Sequence, residues 1–360
     1  MAEGQINENS VREALQDLKD PETGRSLVKL DQIRDIQITG GQVRLTVALT
    51  THSAPLWDEV QDTIRATITR KLPQLTQVDI NREIHTRPPQ KLGEIGLTAK
   101  SVIAIGSGKG GVGKSTIAAS LALSLKRSGA IVGLMDSDVY GPSIPHLLGV
   151  SDQPHSVGNG IQPAMMDGMP VMSMGLLVPK EEAVIWRGPM LHGAVTQFLR
   201  DTLWGDLDYL IIDMPPGTGD IALSLSQLLP LTGAVVVCTP QEVALLDAVK
   251  AIGMFRKVDI PVLGMVENMS GFICPGCQQR YDIFGRGGAR ATAERLHVPF
   301  LGDVPIQVEI RAHGDAGRTL ANFDNPAIAA PFDSISLALV KELAERAATE
   351  PVKPSLPVLG

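Results

Sequence analysis

The sequence predicts a doubly wound, mostly parallel α/β domain preceded by a small α+β domain of order α-β-β-α-β. Three observations carry this reading. Alternating apolar residues mark a hairpin near the start of the chain, five short Val- and Ile-rich runs follow with helical patterns between them, and a Gly-rich loop joins the first of those runs to a helix. Taken in order, Ser10 can cap a helix whose apolar positions Val11, Leu15 and Leu18 recur at helical spacing until Pro21 stops it. Ile36 and Ile38 then alternate with polar residues, Gly40-Gly41 supplies a turn, and Val43, Leu45, Val47 and Leu49 alternate again, a hairpin with one buried face. After Pro55, Val60, Ile64, Ile68 and Leu72 make a second amphipathic helix, and Val78 and Ile80 begin a third strand. Residues 1–85 are therefore read as the first domain. The prolines of Arg87-Pro88-Pro89 continue neither element, so 86–97 is read as a linker.

The second domain is placed at 98–348. Its strands are expected at Val102–Gly106, Ile131–Asp136, Tyr209–Asp213, Ala234–Thr239 and Pro261–Glu267, continuous apolar runs that suit a parallel sheet covered on both faces. The Gly-, Met- and Pro-rich stretch 150–185 is read as irregular, with room for one hairpin, and 349–360 as a disordered tail.

Composition narrows the function classes. Lys and Arg total 32 against 39 Asp and Glu, a net charge of −7, which argues against a nucleic-acid-coating surface. Three Cys in 360 residues exclude a disulfide framework and fit a reducing compartment. The start MAEGQINENSVREAL has no basic or apolar leader region, and no apolar run reaches the ~18 residues of a membrane span. A cytoplasmic protein with no nucleic-acid or membrane partner is expected.

The strongest motif is Gly108-Lys109-Gly110-Gly111-Val112-Gly113-Lys114-Ser115-Thr116, a match to G-x-x-x-x-G-K-[ST] directly after a strand and before the helical run Ile117–Lys126. Its glycines let backbone N–H groups point inward as an anion nest, to which the helix N-terminus adds positive partial charge. Lys114, read as a surface residue of the loop, is assigned to the β- and γ-phosphates of ATP and the Ser115 hydroxyl to Mg²⁺. Lys109 is a second lysine inside the loop. Two carboxylate sites close later strands, where ligands of open α/β sheets bind. In Asp136-Ser137-Asp138, Asp138 is the candidate for orienting the attacking water and Asp136 for a contact behind the magnesium's own ligands. Asp213, before Pro215-Pro216-Gly217-Thr218-Gly219, looks like a carboxylate holding a magnesium-bound water. A strand-end Asp capping the next turn is the alternative for each, as a turn-forming residue is for Asn268.

Cys274-Pro275-Gly276-Cys277 follows Asn268 closely. Taken alone, the pair fits a redox couple, half a zinc site, half a cluster site or an incidental spacing. Two copies from a two-fold dimer would supply Cys₄, the ligand set of a 4Fe–4S cluster or of zinc. Cys238, inside an apolar run, is expected in the core.

The second lysine, Lys109, resembles the deviant phosphate loop of the class containing the nitrogenase iron protein, the Min and Par ATPases and metal-cluster carriers. Together with Asp138-Val139-Tyr140-Gly141-Pro142-Ser143, Trp186-Arg187-Gly188-Pro189, Asp213-Met214-Pro215-Pro216-Gly217-Thr218-Gly219-Asp220 and Glu267-Asn268-Met269-Ser270 ahead of the cysteine pair, the loop resembles the Mrp/ApbC family of iron–sulfur cluster carrier ATPases. The resemblance covers roughly 98–340. It implies a homodimer, Lys109 reaching the partner's phosphates, Asn268 on the adenine, a 4Fe–4S cluster bridging Cys274 and Cys277 of two subunits, slow ATP hydrolysis, and exchange with assembly scaffolds and apo-protein clients. The first domain is similar to the small FSCA (SufT-like) domain that precedes such ATPases. Relatives commonly carry a Cys before the proline that opens its second helix. Here the segment is Thr51-His52-Ser53-Ala54-Pro55, and His52 is read as a surface histidine. Min-like positioning ATPases need an amphipathic C-terminal helix and Par-like ones a basic surface. Prolines at 351, 354 and 357 and the net charge fit neither, and a zinc-holding metallochaperone is the other rival.

Overall fold

Residues 6–93, 95–139, 141–177, 188–217 and 219–349 are described by the structure, a computed structural model. Tyr140, Trp186, Arg187, Thr218 and the tail from Glu350 lie outside the described residues. The first of two compact units runs through Arg87 and includes the chain again from Val340; the second is Pro88–Leu339.

In the first unit, α1 (Glu8–Leu15) is capped by Asn7 and not by Ser10. Asn7 Oδ1 accepts the Ser10 N–H at 3.0 Å and the Ser10 hydroxyl accepts the Asn7 N–H at 3.4 Å, a reciprocal box that makes Ser10 the third helical residue. Both residue types cap helices, and the apolar periodicity starts only at Val11, so the sequence pointed three residues too late. Strands β1 (Ile33–Thr39) and β2 (Gln42–Leu49) form the antiparallel hairpin, and β3 (Gln77–Ile84) lies parallel to β2 on its other side. Helix α2 (Trp57–Lys71) makes the crossover between them. Val11, Leu15, Val43, Leu45, Ile64 and Ile68 meet in one buried cluster. His52 is not on the surface. It is 5% exposed, because the 3₁₀ turn Thr51–Leu56 leading into α2 buries it together with Ser53 and Leu56.

The second unit is built on one ten-stranded sheet. Its strands in chain order are β4 (Lys91–Leu92), β5 (Leu97–Gly106), β6 (Val132–Asp136), β9 (Ala164–Met166), β10 (Met169–Ser173), β11 (Leu207–Asp213), β12 (Gly233–Cys238), β13 (Val262–Ile273), β14 (Arg280–Tyr281) and β15 (Phe300–Ile306). A separate small hairpin, β7 (His155–Val157) with β8 (Gly160–Gln162), precedes β9. The spatial order β14-β13-β12-β5-β11-β6-β10-β9, with β15 on β13 and β4 on β5, puts β5 between β11 and β12. The pairs among β10, β6, β11, β5, β12, β13 and β15 are parallel, as the apolar runs predicted. Helices α3 (Lys114–Arg127), α4 (Ile144–Leu148), α5 (Gly188–Asp201), α6 (Gly219–Leu228), α7 (Glu242–Lys257), α8 (Gly288–Leu296), α9 (Val308–Asp315) and α10 (Pro326–Thr349) connect or follow the strands. No helix among the described residues is long and apolar enough to cross a membrane.

The second unit departs from the sequence reading in three places. The described part of the stretch 150–185, residues 150–177, holds two hairpins, and β10 joins the main sheet in parallel with β6. Strands of three residues between glycines carry too few alternating positions to be recognised. Part of the stretch read as linker is strand, since β4 pairs antiparallel with the start of β5. Finally, β13 runs on past Glu267 to Ile273.

Candidate functional site

The phosphate loop leaves β5 at Gly106 and enters α3 at Lys114, between the ends of β11 and β12. Gly113 caps α3 in the left-handed region, φ +77°, without a side-chain cap, so the first N–H groups of the helix keep their hydrogen-bonding capacity for a ligand. A Cβ at Gly113 would lie 2.1 Å from Asn268 Nδ2, so only glycine lets the loop close on that side chain. Asn268 Nδ2–H donates to the Val112 carbonyl at 2.8 Å, which ties β13 to the loop. The Ser107 hydroxyl donates to the Lys109 carbonyl at 2.9 Å, and Lys109 itself is half-buried.

Lys114 is not a surface residue. Its side chain is 7% exposed, and its ammonium lies 2.5 Å from the fully buried Asp213 carboxylate and 3.3 Å from the Ser115 hydroxyl. Asp213 closes β11 in register with Asp136 at the end of β6, which sets two carboxylates side by side. Burial pushes the Asp213 pKa up, and the neighbouring Lys114 ammonium opposes that shift. Burial and the Asp213 charge push Asp136 up as well. Asp136 answers its burial with four donors: the backbone N–H groups of Asp138, Ser143 and Ile144 at 3.1, 3.1 and 3.2 Å and the Ser173 hydroxyl at 3.1 Å. Asp138 is half-buried and takes the Gly141 N–H at 3.1 Å. Among the described residues, Oδ2 of Asp213 is buried with no hydrogen-bond partner. A buried acceptor left open beside a Lys and a Ser at a helix start fits a hydrated cation and phosphates.

The cysteine pair sits at the tip of a hairpin made by the end of β13 and β14, where Phe272 faces Tyr281 and Ile273 faces Arg280. The Cys274 N–H donates to the Gln279 carbonyl at 2.9 Å and the Gln278 N–H to the Cys274 carbonyl at 2.8 Å. Both thiols are free, Cys274 half-buried and Cys277 exposed. Backbone N–H groups of Cys277 and Gly276, with the Cys277 thiol, hold the Cys274 pKa below the ordinary thiol value. Cys238 is 1% exposed, and burial pushes its thiol up to about 12.

The residues sequence reasoning missed are those that hold the hairpin. Fully buried Glu267 accepts the Ser270 hydroxyl at 2.6 Å and the N–H groups of Gly287 and Ala289, both at 2.7 Å. Arg280 donates to the Ser270 carbonyl, to its hydroxyl at 3.2 Å and to Asp303 Oδ2 at 2.8 Å. A Glu directly after the apolar run Val262–Val266 was the available signal for the first. Nothing local marks Arg280.

Comparison with known proteins agrees with this geometry. Residues 98–340 match the family described as NUBPL iron-transfer P-loop NTPase, and residues 8–81 match that described as iron-sulfur cluster assembly protein. An iron-sulfur cluster carrier protein of Deinococcus radiodurans is 45% identical over 333 residues, covering 92% of each chain. The iron-sulfur cluster transfer protein NUBPL of Dictyostelium discoideum is 47% identical over 249 residues, 68% of this chain and 77% of its own. Among solved structures, a nucleotide-binding protein of Archaeoglobus fulgidus in complex with ADP is 40% identical, with a TM-score of 0.55 over 61% of this chain and 88% of that one. A strand-bound phosphate loop, a carboxylate at its side and a thiol pair just past the strand that touches it are thus joined in one chain, which belongs to the iron-transfer P-loop NTPase family of Mrp/ApbC iron–sulfur cluster carriers.

Proposed function

We propose that the protein is a homodimeric, cytoplasmic carrier that holds a labile 4Fe–4S cluster between two subunits, takes it from assembly scaffolds, passes it to apo-proteins, and couples this to slow ATP hydrolysis. The observation that carries the proposal is the pair of accessible thiols on a hairpin whose strand also grips the phosphate loop through Asn268. Among the described residues no group of three or more His, Cys, Asp or Glu could hold a metal ion, so a four-ligand cluster on Cys274 and Cys277 calls for a second copy. Exposed apolar side chains support such a contact: Tyr281, Ile283 and Phe284 just past the thiols, and Val243 and Leu246 on α7.

In hydrolysis, ATP phosphates enter the nest of loop N–H groups, and Lys114 exchanges Asp213 for the β- and γ-phosphates. Ser115, and Asp213 through a water on its open Oδ2, would hold Mg²⁺, which when bound offsets charge developing on the transferred group. Asp138 orients the attacking water, Asp136 supports that loop from behind, Asn268 contacts the adenine, and Lys109 reaches the partner's phosphates.

Anaerobic reconstitution with iron and sulfide tests the carrier. About four iron and four sulfide per dimer are expected, lost in Cys274→Ala or Cys277→Ala with ATP binding retained, and kept in Cys238→Ala. A full cluster in the Cys274→Ala, Cys277→Ala double variant, or four irons per monomer, refutes the bridging site. Stoichiometric zinc with no capacity for iron supports the metallochaperone instead.

A further inference from the structure

The end of β13 touches two sites, and the way it is held connects them. Asn268 is bonded to the Val112 carbonyl of the phosphate loop, and Cys274 lies six residues further along the same segment. A plain extended strand would be a loose connector. This one is kinked at Met269, φ +58°, and Gly271, φ +69°, and its register against β15 shifts between Asn268 and Phe272. The kink brings Ser270 back onto the neighbouring Glu267, whose carboxylate also binds the N–H groups at the start of α8. A carboxylate with no exposed surface is tolerable only when its acceptors are filled, and here three donors fill them. That fixes the inner end of the hairpin.

The outer end is fixed by Arg280. Its side chain is 29% exposed, and its guanidinium meets the Ser270 carbonyl, the Ser270 hydroxyl and Asp303 at the far side, on β15. All three contacts converge on one terminal nitrogen, Nη2, whose two hydrogens bridge Ser270 to Asp303, and the planar guanidinium fixes the direction of those hydrogens where an ammonium would rotate freely. A Cβ at Gly271 would lie 2.7 Å from the Arg280 Nε, so the kinked strand and the guanidinium are in direct contact. Arg280 is paired with Ile273 and adjoins Gln279, whose carbonyl receives the Cys274 N–H. Val112, Asn268, the Glu267–Ser270 turn, Arg280 and the cysteine turn thereby form an unbroken series of bonded neighbours.

We infer that Arg280 is a positioning residue that makes the reactivity of Cys274 and Cys277 depend on whether the phosphate loop holds nucleotide. It binds neither the nucleotide nor the metal. It keeps the hairpin rigid on the segment that Asn268 ties to the loop, so that a rearrangement of the loop around phosphates reaches the thiols and does not dissipate in the kink. The inference rests on the reading of the loop as the ATP site, and it bears on the carrier function by giving nucleotide a route to the cluster ligands.

The test needs no iron. Full-length apo-protein is reduced and alkylated anaerobically with iodoacetamide, with and without Mg·ADP or a slowly hydrolysed ATP analogue. Rates at Cys274 and Cys277 are read by peptide mass spectrometry, with buried Cys238 as the internal control. In the wild type, nucleotide is expected to change the rate at the pair by about fivefold or more, the lower end of ordinary coupling between sites. In Arg280→Gln the two rates should converge while nucleotide affinity stays within about twofold of wild type. Asp303→Asn, which removes only the outer partner, should shrink the response in the same direction and serves if Arg280→Gln does not fold. Equal rates with and without nucleotide in the wild type overturn the inference, as does a full response in either variant. Failure to bind iron with the nucleotide response intact refutes the carrier reading alone; iron bound normally with no response refutes this one alone.

Discussion

Lys114→Met is expected to destabilise the nucleotide-free P-loop unit by about 3–4 kcal/mol at pH 7, apart from abolishing turnover. On an exposed loop the substitution would cost nothing structurally. Here the ammonium is buried and 2.5 Å from the Asp213 carboxylate, so its removal leaves a buried charge without its cation. The less costly outcome for the variant is to protonate Asp213. Starting from the ordinary value of 3.8, neutralising that group at pH 7 costs about 4.4 kcal/mol, which bounds the loss. The pH dependence has a definite sign. In the variant burial, no longer opposed by Lys114, favours the protonated form of the folded carboxyl, while the unfolded chain ionises above about pH 4. The deficit is therefore small near pH 4 and grows by about 1.4 kcal/mol per pH unit toward neutrality. Native-state hydrogen exchange of the β5 and β11 amides at pH 5, 6 and 7, without nucleotide or magnesium, measures it. Adding Asp213→Asn to the variant should restore most of the loss. A deficit under about 1 kcal/mol at pH 7, or one that does not move with pH, refutes the argument.

Two further outcomes concern the loop and the proposed dimer. Lys109→Ala mixed with Asp138→Asn should give ATPase activity that differs from the weighted mean of the two parents, because the lysine is proposed to serve the partner's phosphates; activity equal to that mean removes the cross-subunit role. Gly113→Ala places a methyl 2.1 Å from Asn268 Nδ2 at φ +77°, and should weaken ATP binding by about tenfold or more in titration calorimetry, whereas unchanged affinity shows that the Asn268 contact is dispensable.

How much of the molecule was legible depends on how local the determining contact is. The five central strands could be read because Val- and Ile-rich runs such as Leu210-Ile211-Ile212 carry their own signal. The phosphate loop was legible for the same reason: its glycines, Lys114 and Ser115 are contiguous. The end of β13 was not. Its polar Glu267, Asn268 and Ser270 look like the close of a strand, yet all three are buried, Glu267 and Asn268 being satisfied by groups distant in sequence, Ala289 and Val112, and Ser270 by Glu267 and Arg280. Lys114 was misplaced on the surface because its counter-charge stands 99 residues away. His52 was misplaced because a short 3₁₀ turn, with no periodicity to detect, decides where it points.

The three carboxylates at the strand ends look alike in sequence, and their bonding separates them. Asp136 has its oxygens committed to four donors, three of them N–H groups of the loop that carries Asp138. It has little capacity left for a ligand, and in the proposed mechanism it works by fixing that loop. Asp213 spends one oxygen on Lys114 and, among the described residues, leaves the other open, so in the proposed mechanism it would gain a hydrated cation as Lys114 turns to the phosphates. Asp138 is half-buried, and among the described residues one backbone N–H, that of Gly141, donates to its Oδ1, which suits the water-orienting role proposed for it. Burial raises the pKa of Asp136 and of Asp213 alike, and two adjacent buried carboxylates favour sharing one negative charge unless cations arrive. In nucleotide-free protein Lys114 supplies one such charge. In the proposed mechanism it leaves for ATP and a second cation replaces it beside Asp213, which is why phosphate and magnesium are expected to bind this site together rather than in turn.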